Sequence, residues 1–209
     1  ELARIREIEA LPQLVTLIAA QTAQLFNLSA LSEPFRLSRP TIGDYVALLE
    51  QVFLIHRLQP WHSNRLSRMI KTPKIHLGDP GVACAVLGLT SESLPSDRKM
   101  LGHLLETFVV QELRRQASWS EEHLRFHHFR NKDGAEVDLV LEGVGQKVAG
   151  VEVKLSGTVK AKDFRGLRKL RDLLGERFKA GVVLYDGEQS VPFGGGLWAV
   201  PLGRLWGCG

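Results

Sequence analysis

Apolar residues recur along this chain in two rhythms, one helical and one strand-like. Leu11, Leu14, Val15, Ile18, Leu25 and Phe26 fall at helical spacing and predict an amphipathic helix over Leu11 to Phe26. Asn27 to Ser29 breaks it, and a second short helix is expected from Ser29 to Phe35. Ser38-Arg39-Pro40-Thr41 opens a third helix with Pro inside its first turn. That helix continues through Ile42, Tyr45, Val46, Leu49 and Val52. Phe53 to Leu58 and Lys74 to Leu77 then read as a strand pair around a polar, basic tip.

Three helices followed by a strand pair is the order of a winged helix-turn-helix, expected over residues 1–78. Asp79-Pro80-Gly81 begins a second unit, expected over 79–209. It opens with a short helix, Val82 to Leu87, and a loop, Thr90 to Asp97. Lys99 to Gln116 is a strong helix, with Leu101, Leu104, Leu105, Phe108, Val109 and Leu113 on one apolar face and Glu106 in its middle. Strands follow at Leu124 to Phe129, Ala135 to Leu141 and Lys147 to Leu155. A helix from Lys160 to Arg177 precedes Gly181 to Tyr185, a short apolar run typical of a central strand, and Leu197 to Leu202. The fold class is thus mixed, α+β or α/β: a winged helix-turn-helix, then a mixed sheet flanked by helices.

Composition narrows the setting. The chain has 209 residues, 44% hydrophobic and 24% charged, ordinary values for a soluble globular protein. Its net charge of +4 leans mildly toward polyanionic partners. The two cysteines, Cys84 and Cys208, have no partner at metal-site spacing, so a reducing cytoplasm is expected rather than a disulfide framework. Apolar runs such as Leu14 to Ala20 fall short of the roughly 20 residues of a membrane span. No basic-then-apolar leader is present, and a first residue Glu1 reads as the start of a fragment. The sequence leaves the oligomeric state open.

Basic residues crowd the first part. From Arg36 to Lys74 they are Arg36, Arg39, Arg57, Arg65, Arg68, Lys71 and Lys74, against only Asp44 and Glu50. Arg36, Arg39, Arg65, Arg68 and Lys71 are candidate DNA-phosphate contacts on the third helix and the wing. A helical adaptor that docks on a protein partner has the same pattern. Arg130 and Lys132 precede the Asp138 strand as further candidates, or flank a solvated turn. Lys160, Lys162, Arg165, Arg168, Lys169 and Arg171 crowd one helix, as a groove wall for DNA or, by default, a solvated face. His127 and His128 are adjacent on a strand and face opposite ways, so they cannot share a metal.

The chemistry sits in the Ala135 to Ser156 hairpin. Asp138 stands among Val137, Leu139 and Leu141, while Glu152 and Lys154 alternate with Val151, Val153 and Leu155 and so share a face. Charges in strands this apolar carry a desolvation cost unless they are paired or hold a metal. Metal-assisted phosphodiester hydrolysis needs a hard cation on carboxylate oxygens, a water and a positive group near the developing charge. Asp138 and Glu152 would grip Mg2+ or Mn2+, with a carbonyl of the Glu152 strand as a third ligand. Lys154 would orient the water or stabilise the charge. Glu106 would reach in from its helix through a water. The bland alternatives are a solvent-facing Glu152–Lys154 pair on an edge strand, and Glu106 paired with Arg114 or Lys99.

Asp138, then Glu152-x-Lys154, with Glu106 on a preceding helix, resembles the PD-(D/E)XK nuclease superfamily over roughly Asp79 to Leu205. The resemblance implies a restriction-endonuclease-like fold and a catalytic set of Glu106, Asp138, Glu152 and Lys154. Val137 stands where the pattern often has Pro. The whole chain is similar to the C-terminal half of a class of prokaryotic AAA-type ATPases whose tail is known only as a domain of unknown function. Carrying segments include Ser38-Arg39-Pro40-Thr41-Ile42, Lys74-Ile75-His76-Leu77-Gly78-Asp79-Pro80-Gly81, Gly102 to Leu113, and Val151 to Ser156. That resemblance implies a P-loop domain ahead of Glu1 as a partner. The chain itself has no Gly-x-x-x-x-Gly-Lys-Ser/Thr sequence, so no nucleotide site is assigned to it.

Overall fold

The architecture comes from a computed structural model that describes residues 10–35, 37–61 and 70–207. It is mixed α/β and forms two compact units, one of residues 1–58 and 72–111, the other of 59–71 and 112–209. The division therefore does not fall at 78/79. Ala83 and Leu104 are buried in the same apolar cluster as Leu14, Ile18, Ile42, Ile55 and Leu77, which draws 79–111 into unit 1. Among the described residues no helix is long and apolar enough to cross a membrane.

Unit 1 begins with α1, Leu11–Ala20, which buries Leu14, Val15, Ile18 and Ala19. The helix stops earlier than its apolar spacing suggests. Ala23 takes a positive φ of 60°, and Gln24–Leu25 turns into strand β1. α2, Leu28–Ser32, is capped by Asn27, whose side chain accepts from the Ser29 and Ala30 amides at 3.1 and 3.2 Å. α3, Arg39–Gln51, is capped by Ser38 and buries Ile42, Val46 and Leu49. Phe53, expected to start a strand, instead has φ 60° and is exposed. β2 runs over Ile55–Pro60 and β3 over Lys74–Leu77, antiparallel, with Ile55 opposite Leu77. β1 pairs with the other side of β3, Gln24 opposite Ile75. α4, Pro80–Val86, is capped by Asp79, and α5, Arg98–Ser118, begins in unit 1 and ends in unit 2.

Unit 2 is a mixed sheet. Gln59 and Pro60, the end of β2, pair in parallel with β4, Arg125–Arg130. β5, Glu136–Glu142, and β6, Val148–Lys154, continue it antiparallel. β7, Phe178–Tyr185, runs parallel to β6, and β9, Leu197–Pro201, runs parallel to β7. β8, Val191–Gly194, closes the edge beside β9. It is short and contains Pro192, features of an edge strand that no alternation pattern announces.

The crossover from β6 to β7 carries α6, Arg165–Leu174, whose Leu167, Leu170 and Leu174 are buried with Val137, Val148 and Val183. The expected long helix is divided: Ala161–Phe164 and Gly175–Arg177 are 3-10 turns on either side of α6. α6 lies close to the sheet because Gly166 and Gly150 leave room. A Cβ on Gly166 would stand 1.7 Å from the Glu136 carbonyl oxygen, and one on Gly150 would stand 2.6 Å from Leu167 Cδ2. A backbone oxygen cannot swing aside. Gly166→Ala is expected to cost at least about 1–3 kcal/mol, seen as a lower urea midpoint for the unit 2 transition.

On unit 1, Arg57 Nε donates to Glu50 Oε2 at 2.9 Å and the Arg57 amide to Oε1 at 3.3 Å. Burial works to raise the Glu50 pKa, but the Arg57 hydrogen bonds and charge outweigh it and hold the carboxyl below its ordinary value. Stability from such a group is present above the unfolded value and is lost as the pH falls through the folded one. Glu50→Gln is expected to flatten the loss of unit 1 stability in acid slightly, since both side chains are about a third exposed. Urea denaturation at neutral and acid pH reads this.

Candidate functional site

The local backbone around Asp138 is not a plain strand. His127 stands opposite Val140, but Phe129 stands opposite Val137, so β5 holds one extra residue between these pairs. Asp138 lies in that β-bulge. Bulges re-aim a side chain and interrupt pairing. On the other side of β5, regular pairing to β6 ends at Leu139 opposite Val151. Past that point the Val153 amide donates to Asp138 Oδ2 at 3.0 Å. A side-chain carboxylate thus takes the place of a ladder carbonyl. Asp138 is 8% exposed, and this bond is part of what offsets its desolvation.

Glu152 and Lys154 share a face, as their alternation predicts. Lys154 Nζ lies 3.8 Å from Glu152 Oε1 and 3.9 Å from Asp163 Oδ1. β6 has β5 on one side and β7 on the other, with Glu152 opposite Val183 and Lys154 opposite Tyr185. The edge-strand reading of the pair is therefore corrected: this is an interior strand. Lys154 is partly exposed and both contacts are long, so the pairing is worth about 0–1 kcal/mol. It places the ammonium without locking it.

Asp138, Glu152 and Lys154 thus gather at one end of the β5–β6 pair. Two carboxylates suit a hard cation that keeps its waters, the usual habit of Mg2+. Among the described residues no group of three or more His, Cys, Asp or Glu side chains is arranged to hold a metal. Any cation here would draw its remaining ligands from backbone oxygen, water or substrate. A cleft of about 680 Å3 elsewhere in unit 2, lined by residues such as Glu112, Trp119, Phe126 and Trp206, contains none of the three.

Glu106 has a different setting. It lies on the part of α5 that belongs to unit 1, and Lys74 Nζ donates to its Oε1 at 2.7 Å. His76 Nε2 is 4.0 Å from the same oxygen. Lys74, His76 and Glu106 are all buried, so the partner is neither Arg114 nor Lys99 on a helix surface. The network continues: His76 Nδ1 and Thr107 Oγ1 are 3.1 Å apart, and Thr107 meets Thr22 at 2.8 Å. The Leu77 amide donates to Thr22 Oγ1 at 3.2 Å, and Gln111 Nε2 donates to the Leu77 carbonyl at 2.7 Å. No sequence pattern singled out Lys74, His76, Thr107 or Thr22 as a set. Their only trace is polar residues at strand and helix positions that otherwise read as core.

The candidate DNA contacts fall in both units. Arg39 is exposed in the first turn of α3, and Lys71 and Lys132 are exposed. Arg130 pairs with Glu136 across β4 and β5 at 3.3 Å. Arg36, Arg65 and Arg68 lie outside the described residues, as does the tip of the expected wing. His128 is buried and His127 half-buried on β4.

Residues 101–205 match the family described as Domain of unknown function (DUF4143), and residues 1–93 match another, Domain of unknown function (DUF8612). Uncharacterized proteins of Mycobacterium bovis and Mycobacterium tuberculosis are each 27% identical over 191 residues, which is 91% of this chain and 41% of theirs. The chain therefore spans 41% of the length of these curated relatives. Among solved structures, a half-complex from a tetradecameric assembly of Thermococcus gammatolerans McrB AAA+ hexamers with bound McrC aligns over 91% of this chain and 70% of that one. Its TM-score is 0.36 at 9% identity, a likeness that carries no argument.

Breaking a buried ion pair by removing one partner costs about 3–5 kcal/mol. Glu106→Ala is expected to destabilise unit 1 by about that much, and Glu106→Ala with Lys74→Met to recover part of it. Urea denaturation of the three chains checks this.

Proposed function

This chain belongs to the family described as Domain of unknown function (DUF4143), and on that footing we propose that its second unit is a PD-(D/E)XK-type nuclease domain that cleaves DNA phosphodiesters. The observation that carries the reading is the Asp138 bulge. It turns a carboxylate onto the end of β6, where the Val153 amide holds it beside the strand that bears Glu152 and Lys154. In this reading Asp138 and Glu152 hold Mg2+ or Mn2+, with a carbonyl of β6 as a further ligand. Bound there, such a cation would supply Lewis acidity and activate water for attack. Lys154 places positive charge where the transferring phosphoryl group develops negative charge. Its loose contacts with Glu152 and Asp163 let it turn toward that charge. Glu106, engaged with Lys74 in unit 1, acts in this reading as a fold-stabilising residue rather than a member of the reacting set.

Unit 1 we read as a winged helix. The support is the run of α1, α2 and α3, the antiparallel β2–β3 pair and β1 on the far side of β3. Arg36 and Arg39 would meet DNA phosphates from this unit, and Arg65, Arg68, Lys71, Arg130 and Lys132 from unit 2. The resemblance to ATPase C-terminal regions adds a nucleotide-binding domain of the same protein as the partner that would couple to this tail.

The test is cleavage of linear and branched DNA with Mg2+ or Mn2+ by wild type, Asp138→Asn, Glu152→Gln and Lys154→Ala. Asp138→Asn keeps an oxygen to accept from Val153, so the strand end is retained while the charge is lost. Each variant is expected to lose about 100-fold or more in rate. Cleavage equal to wild type in Asp138→Asn and Lys154→Ala overturns the catalytic reading. DNA binding without metal-dependent cleavage by wild type leaves a non-catalytic DNA-binding or docking tail.

A further inference from the structure

We infer that the outward face of α6 and the turn at residues 131–134 form a track for the phosphate backbone of nucleic acid, beginning beside Lys154. This rests on the nuclease reading of unit 2 and names the surface that would present the substrate to it. From Lys160 to Arg171 the chain has Lys160, Lys162, Arg165, Arg168, Lys169 and Arg171, with Asp163 as the one carboxylate between them. A solvated helix face would carry such charges as flexible, unplaced side chains. Three of these are placed, Arg171 by Asp172 and the Gly195 carbonyl at 3.4 Å, and the other two toward the turn and the helix start. Arg165 Nη2 donates to the Asp133 carbonyl at 3.0 Å, which ties α6 to the turn. Arg168 Nη1 donates to the Ala161 carbonyl at 2.6 Å, and its guanidinium lies 5.8 Å from the Phe164 ring centre. A guanidinium has five N–H donors, so one such bond holds the fork in position and leaves donors for a phosphate.

Between the helix and the turn is a cleft of about 500 Å3. Its lining includes Asn131, Lys162, Arg165, Arg168 and Lys169, with Asp133 and Asp172 as the acidic members. Cations outnumber carboxylates there by two to one, so the cleft favours an anion. The run also meets the proposed reaction centre. Asp163, at the start of this segment, lies 3.9 Å from Lys154 Nζ and accepts from the Lys160 amide at 2.8 Å.

The same helix argues against a lipid surface as the source of the phosphates. A helix that lies on a membrane inserts an apolar face between lipids. The apolar face of α6 is spent: Leu167, Leu170 and Leu174 are buried in the unit 2 core. Apart from Asp172 and a single partly exposed Leu173, the face that remains is cationic, and that suits a polyanion bound through its backbone charge.

The experiment is fluorescence-anisotropy binding of a labelled DNA duplex to the chain across a salt series. Wild type, Lys162→Gln/Lys169→Gln and Lys162→Arg/Lys169→Arg are compared, with melting temperatures measured alongside. Both lysines are exposed. Each lost phosphate contact lowers the slope of log K against log salt by about 0.9. The Gln pair is expected to reduce the slope by about 2, while the Arg pair keeps it. A slope unchanged in the Gln pair, at an unchanged melting temperature, overturns the track even where wild type cleaves DNA. A reduced slope with no cleavage by wild type keeps the track and removes the nuclease reading. Binding to phosphatidylserine vesicles with none to duplex overturns the track in favour of a lipid surface.

Discussion

The hydrogen bond from the Val153 amide to the Asp138 carboxylate is the constraint on which the end of the β5–β6 pair depends. Two antiparallel strands normally satisfy one another until a turn or an edge ends the ladder. Here the bulge in β5 rotates Asp138 out of step, and the ladder stops at Leu139 and Val151. The Val153 amide would then face a lost partner at a partly buried position. A carboxylate oxygen takes it, and a charged acceptor makes a stronger bond than the carbonyl it replaces. The arrangement keeps β6 straight enough to pair with β7 through Lys154 while its other side is free of β5. Three charged side chains are thereby held at the end of an otherwise apolar sheet.

Unit 1 meets the same problem differently. Lys74, His76, Thr107, Gln111 and Thr22 are all buried, and each finds a partner within the unit. Buried ion pairs are poor sources of net stability, because desolvation of both charges opposes their attraction. What such a pair does firmly is penalise its own disruption. An α5 that slipped by one residue would leave Lys74 without Glu106 and the Leu77 carbonyl without Gln111. The polar set therefore fixes the register of α5 on β3, a task that interchangeable leucines perform less strictly.

Much of this was legible in the sequence. Period-two alternation put Glu152 and Lys154 on one face, and their 3.8 Å separation follows from that. Ser38-Arg39-Pro40-Thr41 announced α3, whereas α4 starts two residues before the expected Val82, at Pro80 behind its cap Asp79. The helix over Leu11 to Phe26 was overcalled because Leu25 and Phe26 also fit a helical period, whereas the chain turns at Ala23 to reach β3. The bulge at Asp138 left no mark, since an extra residue in a strand is defined by its neighbour's register. The apolar face read for α5 was the wrong one in part: Glu106, Thr107 and Gln111 are buried, while Leu101, Leu105 and Phe108 are only half-buried. Polarity alone cannot reveal that partners on β3 make burial affordable. The division at 78/79 missed for a related reason, because Asp79 ends a strand without ending a core.

The site face of β6 is the continuation of its core face. Val148 and Gly150 point the same way as Glu152 and Lys154, by alternation along one strand. Val148 is in the unit 2 core, and Gly150 is a glycine because Leu167 and Leu170 of α6 come down on it. Two residues further, the helix has run out. It is entered through the 3-10 turn Ala161–Phe164, and Asp163 of that turn is the group that Lys154 meets. Where α6 starts, then, is where the strand changes from leucine-covered to charged. The geometry that seats the helix at Gly150 and Gly166 also sets where Glu152 and Lys154 come clear of it. A shift of α6 along the sheet would bury or strand these two charges before it touched Asp138, so the packing of one helix and the placing of the charges are one constraint.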